Sequence, residues 1–238
     1  MEGGFCIIKI TEITQQLSAT GVERLFVLDQ IELPQDILES GIVLPHESKD
    51  LRDKVASLMV EARNIARPFA AFMMLVPEKL SLTHVRLSST TFESALLVEQ
   101  IGDLSRAFPF IASEGHELSS WSKALGKEFK EASFAIRFLF LNQALLDMED
   151  YISEVIEIEK LSAMAPGALK EWPLSEQGKI VRLMERVVDK KKVTMSDSFW
   201  LDPKISSTAI FFESDEGFHN CRLCLEDNCP HRKYPRAS

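Results

Sequence analysis

Apolar residues recur three or four positions apart in five stretches of the chain, and this spacing predicts five helices. The strongest pattern covers residues 127–159, where apolar side chains occupy more than one side of the helix and therefore indicate burial. Ser113 stands where a helix N-cap residue is expected. The other four helices are predicted over residues 50–66, 91–101, 113–125 and 174–188.

Short apolar runs between these helices predict β-strands. Residues 69–76 form an uninterrupted apolar run that Pro77 closes, which is typical of a buried strand. Residues 83–87 alternate between polar and apolar and are expected to pair with that run as a hairpin. Two further strands are predicted over residues 5–10 and 108–112.

The C-terminal third of the chain has a different pattern. Two proline-containing dipeptides interrupt residues 161–173, which predicts a loop there. Residues 193–199 and 206–212 predict two strands on either side of a turn at residues 202–203. The whole pattern, which contains no internal repeat, indicates an α+β fold with an antiparallel sheet.

Composition narrows the function classes. Hydrophobic residues make up 45% of the 238 residues, which is enough for a sizeable core. The net charge of −9 at pH 7 argues against broad nucleic-acid binding, because phosphates require Lys and Arg. No apolar run reaches the length of a membrane span, and the first residues lack the basic segment of a signal peptide. A cytoplasmic protein without a membrane partner is therefore expected.

Three of the four cysteines are clustered near the C-terminal end: Cys221, Cys224 and Cys229. A Cys-x-x-Cys pair lets two thiolates bind one metal ion from a tight turn. His231 or His219 is available as a fourth ligand for zinc, and Cys6 is a more distant candidate. An iron–sulfur cluster held by the three cysteines and an outside ligand is a second possibility. The remaining alternative is a tail of reduced thiols without a metal, since the cytoplasm keeps thiols reduced.

Two segments carry a specific combination of residues. Pro-Gly is followed by Trp-Pro-Leu and Gln over residues 165–177, and Ser-Phe is followed by Pro and Ser over residues 196–212. This combination resembles the activation domain of cobalamin-dependent methionine synthase, in particular free-standing homologues that end in a Cys-x-x-Cys…Cys-Pro-x-Arg tail. On this resemblance, residues 1–105 are a divergent N-terminal part, residues 106–213 the activation-domain-like core, and residues 214–238 the cysteine-rich tail.

The resemblance implies a twisted antiparallel sheet flanked by helices. In that family the domain binds S-adenosylmethionine and supports the reductive methylation of an oxidised cobalamin, with a flavoprotein reductase as electron donor. Because this chain has no room for a cobalamin domain, the resemblance implies cobalamin on a partner, either a corrinoid protein or a methyltransferase. The chain would then be a component of methionine synthase or corrinoid methyltransferase activity rather than a complete enzyme.

The same resemblance places an S-adenosylmethionine site on two loops, with six candidate residues: Pro166, Gly167, Ala168, Trp172, Asp197 and Ser206. Glycine lacks a Cβ and lets the backbone approach a ligand closely. Trp172 would stack on a ring, and Asp197 would contact the ammonium group. Each residue also fits a purely structural role. Pro166-Gly167 fits an ordinary turn, and Trp172 fits a core anchor. Asp197 fits a solvated carboxylate, and Ser206 fits a backbone hydrogen bond.

Two positions depart from the family pattern. The family has an arginine three residues before the proline and an aromatic residue after the glycine, where this chain has Ala163 and Ala168. An arginine–carboxylate contact contributes about 1.5–3 kcal/mol, so its loss weakens binding by about 10- to 150-fold. Arg137, Arg182 or Lys204 would replace it only if the fold brings one of them close. The alternative function is therefore a metal- or iron–sulfur-bearing interaction or electron-transfer module that has lost S-adenosylmethionine binding.

Overall fold

A computed structural model describes residues 9–16, 22–29, 31–33 and 49–214 of the chain. The proposed metal ligands Cys221, Cys224, Cys229 and His231, together with Cys6 and His219, lie outside these ranges. The predicted strand over residues 5–10 also lies outside them, except for its last two residues.

Eleven strands and five α-helices are assigned within the described ranges. The strands are β1 Lys9–Gln16, β2 Val22–Asp29, β3 Phe69–Met74, β4 Pro77–Lys79, β5 His84–Leu87, β6 Thr90–Glu93, β7 Phe108–Ser113, β8 Leu161–Met164, β9 Thr194–Met195, β10 Leu201–Asp202 and β11 Ser206–Glu213. The helices are α1 Lys49–Ile65, α2 Ala95–Ile101, α3 His116–Ala124, α4 Lys130–Val155 and α5 Gln177–Met184. Two 3₁₀ turns precede α4 and α5, at Lys127–Phe129 and Leu174–Glu176.

Six strands form one sheet in the order β1-β2-β3-β7-β11-β8, and every neighbouring pair is antiparallel. Strands β4, β5 and β6 form a separate three-stranded meander, and β9 pairs with β10 as a short ribbon. The predicted α+β class with an antiparallel sheet flanked by helices is confirmed. Strands from the first hundred residues and strands from the C-terminal third belong to the same sheet.

The two faces of the large sheet pack against different helices, because successive side chains of a strand point to opposite faces. On one face, Phe69, Ala71 and Met73 of β3 join a core formed with α2, α5 and the meander. On the other face, Ala70 and Phe72 pack into a core formed with α4. A third cluster joins α1, α3 and the N-terminal half of α4. The sheet therefore lies between two apolar layers, which explains why β3 reads as an unbroken apolar run.

Several sequence predictions agree with these elements and others do not. The helices over residues 50–66 and 127–159 correspond to α1 and α4, and the strand over residues 69–76 corresponds to β3. The prediction that residues 83–87 pair with β3 is wrong, because β5 lies between β4 and β6 in the meander. The prediction of a loop throughout 161–173 is also wrong at its start, because β8 pairs with β11 at the sheet edge.

Two further corrections concern the ends of elements. Ser113 does not cap a helix: it ends β7, and its hydroxyl accepts the N–H of Gly115, which precedes α3. The predicted strands over residues 193–199 and 206–212 do not pair with each other, because β9 pairs with β10 while β11 lies between β7 and β8. In the second case, β11 pairs with strands that are distant from it in sequence.

Candidate ligand-binding site

One end of the large sheet brings together residues from the middle and the C-terminal third of the chain. The registers Phe69↔Ser113 and Ser206↔Ser113 place the start of β3, the end of β7 and the start of β11 side by side. Strand β2 ends at the same place, since Leu28 pairs with Ala70. Strand β8 also runs toward this end, because Met164 pairs with Ile210 of β11. The loop after β8 and the residues before β11 thus leave the sheet at a common end.

Ser206 has its hydroxyl engaged at this end. Its Oγ lies 2.8 Å from Ser113 Oγ and 2.8 Å from the Pro203 carbonyl oxygen. The side chain is half-buried. It therefore ties the start of β11 to the neighbouring strand and to the turn that precedes it.

The Pro166–Trp172 loop is closed by its own hydrogen bonds. Gly167 has a φ of 79°, and its N–H donates to the Trp172 carbonyl at 2.7 Å. The positive φ favours glycine at this position, and a Cβ there would lie 2.8 Å from Leu174 Cδ1, so the leucine side chain would have to shift. Pro166 is buried, Gly167 is exposed and Ala168 is half-buried. Only part of this loop therefore faces solvent.

Trp172 lies in the core. Its side chain is fully buried, and its ring makes an edge-to-face contact with Phe92 of β6 at a centroid distance of 6.1 Å. The indole N–H has no hydrogen-bond partner within the described residues. In this conformation the ring anchors the Pro166–Trp172 loop to the core and does not reach the surface.

Asp197 is exposed in the turn that joins β9 to β10. Phe199 adopts a φ of 63° in this turn, and the following Trp200 is 70% exposed. Gln177 at the start of α5 donates to the Phe199 carbonyl at 2.7 Å and accepts from Thr208 Oγ1 at 3.1 Å. The side chain of Gln177 thereby connects the β9–β10 ribbon to β11.

The three cations considered as replacements for the missing arginine have different surroundings. Arg137 of α4 is held by Glu114, which accepts hydrogen bonds from its Nε and Nη2 atoms, while Nη1 lies 3.3 Å from Ser122 Oγ. Arg182 and Lys204 are exposed. Ala163 is half-buried on β8 and packs on the α4 side of the sheet. Arg137 is thus already committed to an ion pair.

Burial shifts the pKa of the carboxyl group in that ion pair. Glu114 is fully buried and follows β7 directly. Removal from water raises the pKa of the Glu114 carboxyl above its ordinary value, and the hydrogen bonds and charge of Arg137 oppose the shift. The pair links the end of the central strand to the long helix α4, so it fixes the sheet end on which the candidate residues lie.

The sequence analysis missed a cleft at this sheet end. It has a volume of 1020 Å³ and lies between the C-terminal end of α1 and the N-terminal end of α3. Asp29, residues 31–33 and the segment 191–192 complete its walls, and Phe140 of α4 lies at its base. We refer to it as the α1–α3 cleft. The sequence signal that pointed to it is the pair Arg63 and Arg67, four residues apart, together with the lysine run at residues 190–192.

Non-covalent contacts hold the walls of the α1–α3 cleft in place. His116 Nε2 lies 2.9 Å from the Lys191 carbonyl oxygen. Lys192 Nζ lies 3.3 Å from Asp29 Oδ1 and 4.7 Å from the centre of the Phe69 ring. Gly115 has a φ of 89°, and a Cβ there would lie 2.5 Å from the Arg67 carbonyl oxygen. The close approach of α1 to α3 therefore depends on glycine at this position.

The described ranges contain neither a metal-binding cluster nor a membrane-spanning helix. No group of three His, Cys, Asp or Glu side chains there is arranged to hold a metal ion. No helix in the same part of the chain is long and apolar enough to cross a bilayer. Neither observation concerns the cysteine-rich tail.

Comparison with known proteins identifies a structural neighbour. No protein-family model and no curated protein matches the sequence. The fold is similar to that of the MetH reactivation domain, solved in a crystal with AdoHcy bound, with a TM-score of 0.57. The match covers 87% of this chain and 78% of the neighbour at 11% sequence identity. At that identity the likeness establishes the fold alone.

Proposed function

We propose that this protein binds S-adenosylmethionine or a close relative of it. In this role it supports the reductive methylation of a corrinoid cofactor held by a partner protein. The observation that supports the proposal is the shared fold with a reactivation domain that was crystallised with AdoHcy. AdoHcy is what remains of S-adenosylmethionine after its methyl group has been transferred. The protein would act as one component of a methyltransferase system, with a corrinoid protein or methyltransferase as partner and a reductase as electron donor.

The proposed ligand face combines the Pro166–Trp172 loop with residues 198–207. Exposure divides the six candidate residues into two groups. Gly167, Ala168, Asp197 and Ser206 are exposed or half-buried, so part of each residue faces solvent. Pro166 and Trp172 are buried and would shape the loop beneath the ligand. In this arrangement the reacting centre is the cobalt of the partner, and the protein contributes binding and orientation.

Ala163→Arg tests the ligand face. We expect the native protein to bind S-adenosylmethionine weakly in a calorimetric titration, since the carboxylate of the ligand lacks an arginine partner. Restoring the arginine should tighten the dissociation constant by about 10-fold or more, the effect of one charge-assisted hydrogen bond. Ala163→Gln is the matched control, because it adds a long polar side chain without charge. No heat with either ligand, S-adenosylmethionine or AdoHcy, in the native protein and in Ala163→Arg would contradict the proposed function.

For the tail, we propose a metal site formed by Cys221, Cys224, Cys229 and His231. The support is the ligand spacing, which allows zinc or an iron–sulfur cluster. Protein purified anaerobically should contain about one zinc per chain, or iron and sulfide in a matched ratio, by elemental analysis. Cys224→Ser should lose the metal, whereas Cys6→Ser should keep it. Metal at background in the native protein would rule this site out.

A further inference from the structure

The α1–α3 cleft has an apolar base and a charged rim. Ile31, Leu33, Phe69 and Phe140 line it and are each nearly fully buried. Arg63 and Arg67 of the α1 end, with Lys191 and Lys192 on the opposite wall, form the basic part of the rim. Pockets for small molecules typically have volumes of roughly 300–1,000 Å³ and combine apolar walls with a few polar groups. At 1020 Å³, the cleft is large enough for a ligand of nucleotide size.

The charge around the cleft differs in sign from that of the protein. The chain carries a net charge of −9, but four Lys and Arg side chains line the cleft against three carboxylates, those of Asp29, Glu32 and Glu117. Asp29 is already paired with Lys192. Within the described residues, no ion pair engages Arg63, Arg67 or Lys191. The rim therefore keeps positive charge available for an anion.

Two further features favour an anion in this cleft. Arg67 donates through Nη1 to the Ala66 carbonyl at 2.6 Å and to the Asn64 carbonyl at 3.4 Å, which fixes the guanidinium at the end of α1 and leaves the N–H groups of Nε and Nη2 available. The N-terminal end of α3 opens into the same cleft, and no side chain caps it. Guanidinium forks and lysine ammonium groups are the usual protein partners of phosphate, which carries close to two negative charges at neutral pH.

We propose that the α1–α3 cleft binds a phosphate-bearing small molecule with an aromatic ring. The phosphate contacts Arg63, Arg67 and Lys191 at the rim, and the ring lies deeper in the cleft, above the buried side chains of Leu33 and Phe140. The lining of this cleft includes no residue of the proposed S-adenosylmethionine face, which is built on the loop after β8 and the segment before β11. S-adenosylmethionine carries no phosphate, so the two sites take different ligands.

The experiment titrates the full-length protein with AMP, FMN, adenosine and inorganic phosphate. At least one of the two ring-bearing phosphates should bind saturably and at least 10-fold more tightly than adenosine or inorganic phosphate. Arg63→Gln combined with Lys191→Gln should weaken that binding by at least 10-fold. Lys127→Gln, an exposed lysine outside the cleft, is the matched control and should leave it unchanged.

Three results of these titrations would overturn the proposal. The first is that neither AMP nor FMN binds. The second is that adenosine or inorganic phosphate binds as tightly as the tighter of AMP and FMN. The third is that the double variant binds that ligand as tightly as the native protein does. S-adenosylmethionine titrations of the same double variant separate this proposal from the proposed function. Unchanged S-adenosylmethionine binding supports two sites, whereas its loss in the double variant would make the cleft an S-adenosylmethionine site and overturn the phosphate assignment.

Discussion

Trp172→Ala is expected to lower the free energy of unfolding by about 3–5 kcal/mol, the usual cost of truncating a buried tryptophan. The side chain is fully buried, contacts Phe92 edge-to-face and fills the core between the large sheet and the meander. For a domain of this size, each kcal/mol shifts the melting temperature by about 2–4 °C. The midpoint of thermal unfolding should therefore fall by roughly 10 °C.

Two controls separate loss of packing from loss of a polar contact or of a ligand. Trp200→Ala removes a tryptophan that is 70% exposed and should shift the midpoint by less than about 2 °C. Trp172→Phe should cost clearly less than Trp172→Ala, because it retains an aromatic ring and the indole N–H has no partner within the described residues. Equal stability of Trp172→Ala and the native protein would show that this ring is not a core anchor.

Arg137→Met is expected to destabilise the protein by about 3–5 kcal/mol at pH 8, since it leaves the carboxylate of Glu114 buried without its cation. Glu114 is fully buried, and the side chain of Arg137 is 13% exposed. Urea unfolding followed by circular dichroism gives the free energy at each pH. The loss should be smaller at pH 5 than at pH 8.

The direction of this pH dependence follows from the pKa of Glu114. Burial raises that pKa in the folded state, Arg137 opposes the shift, and Arg137→Met removes the opposition. A carboxyl group with a raised folded-state pKa favours folding when it is protonated, so its contribution is fully present below the unfolded pKa, near 4.3. That contribution is lost as the pH rises through the folded-state pKa. Arg137→Met should therefore lose stability relative to the native protein as the pH rises from the unfolded pKa through the folded-state pKa of Glu114.

The double variant Glu114→Gln with Arg137→Met is the matched control for the charge. It removes the buried carboxylate together with its partner, so it should recover part of the stability lost in Arg137→Met. It should also be nearly as stable at pH 8 as at pH 5. A loss for Arg137→Met that is the same at both pH values would show that Glu114 does not carry the effect.

Local patterns were sufficient for the long elements. Helix α4 was predicted because its apolar positions recur around the helix, and β3 because the eight apolar residues 69–76 precede a proline. In both cases the apolar residues that become buried are close together in the sequence, so the pattern is visible without the tertiary structure. The resemblance carried by the segments around Pro166 and Ser198 also indicated a fold that the structural neighbour supports.

Long-range pairing was not accessible to the same reasoning. Strand β8, Leu161–Met164, contains no β-branched or aromatic residue and becomes a strand because β11 lies beside it. Strand β5 alternates as predicted, but a local pattern does not say which strand it pairs with. The same limit applies to Arg137, whose commitment to Glu114 depends on the packing of α4 against the end of β7.

The sequence by itself determined the α+β class, the long buried helix, the apolar central strand and the loops that carry the candidate ligand face. Only the tertiary structure decided that Trp172 is buried while Asp197 is exposed, and that Arg63, Arg67 and Lys191 border a common cleft. The physical reason is that the spacing of apolar residues shows only which side of a single helix or strand is buried. The meeting of side chains from α1, α3 and the segment after α5 depends instead on how those elements pack around the sheet.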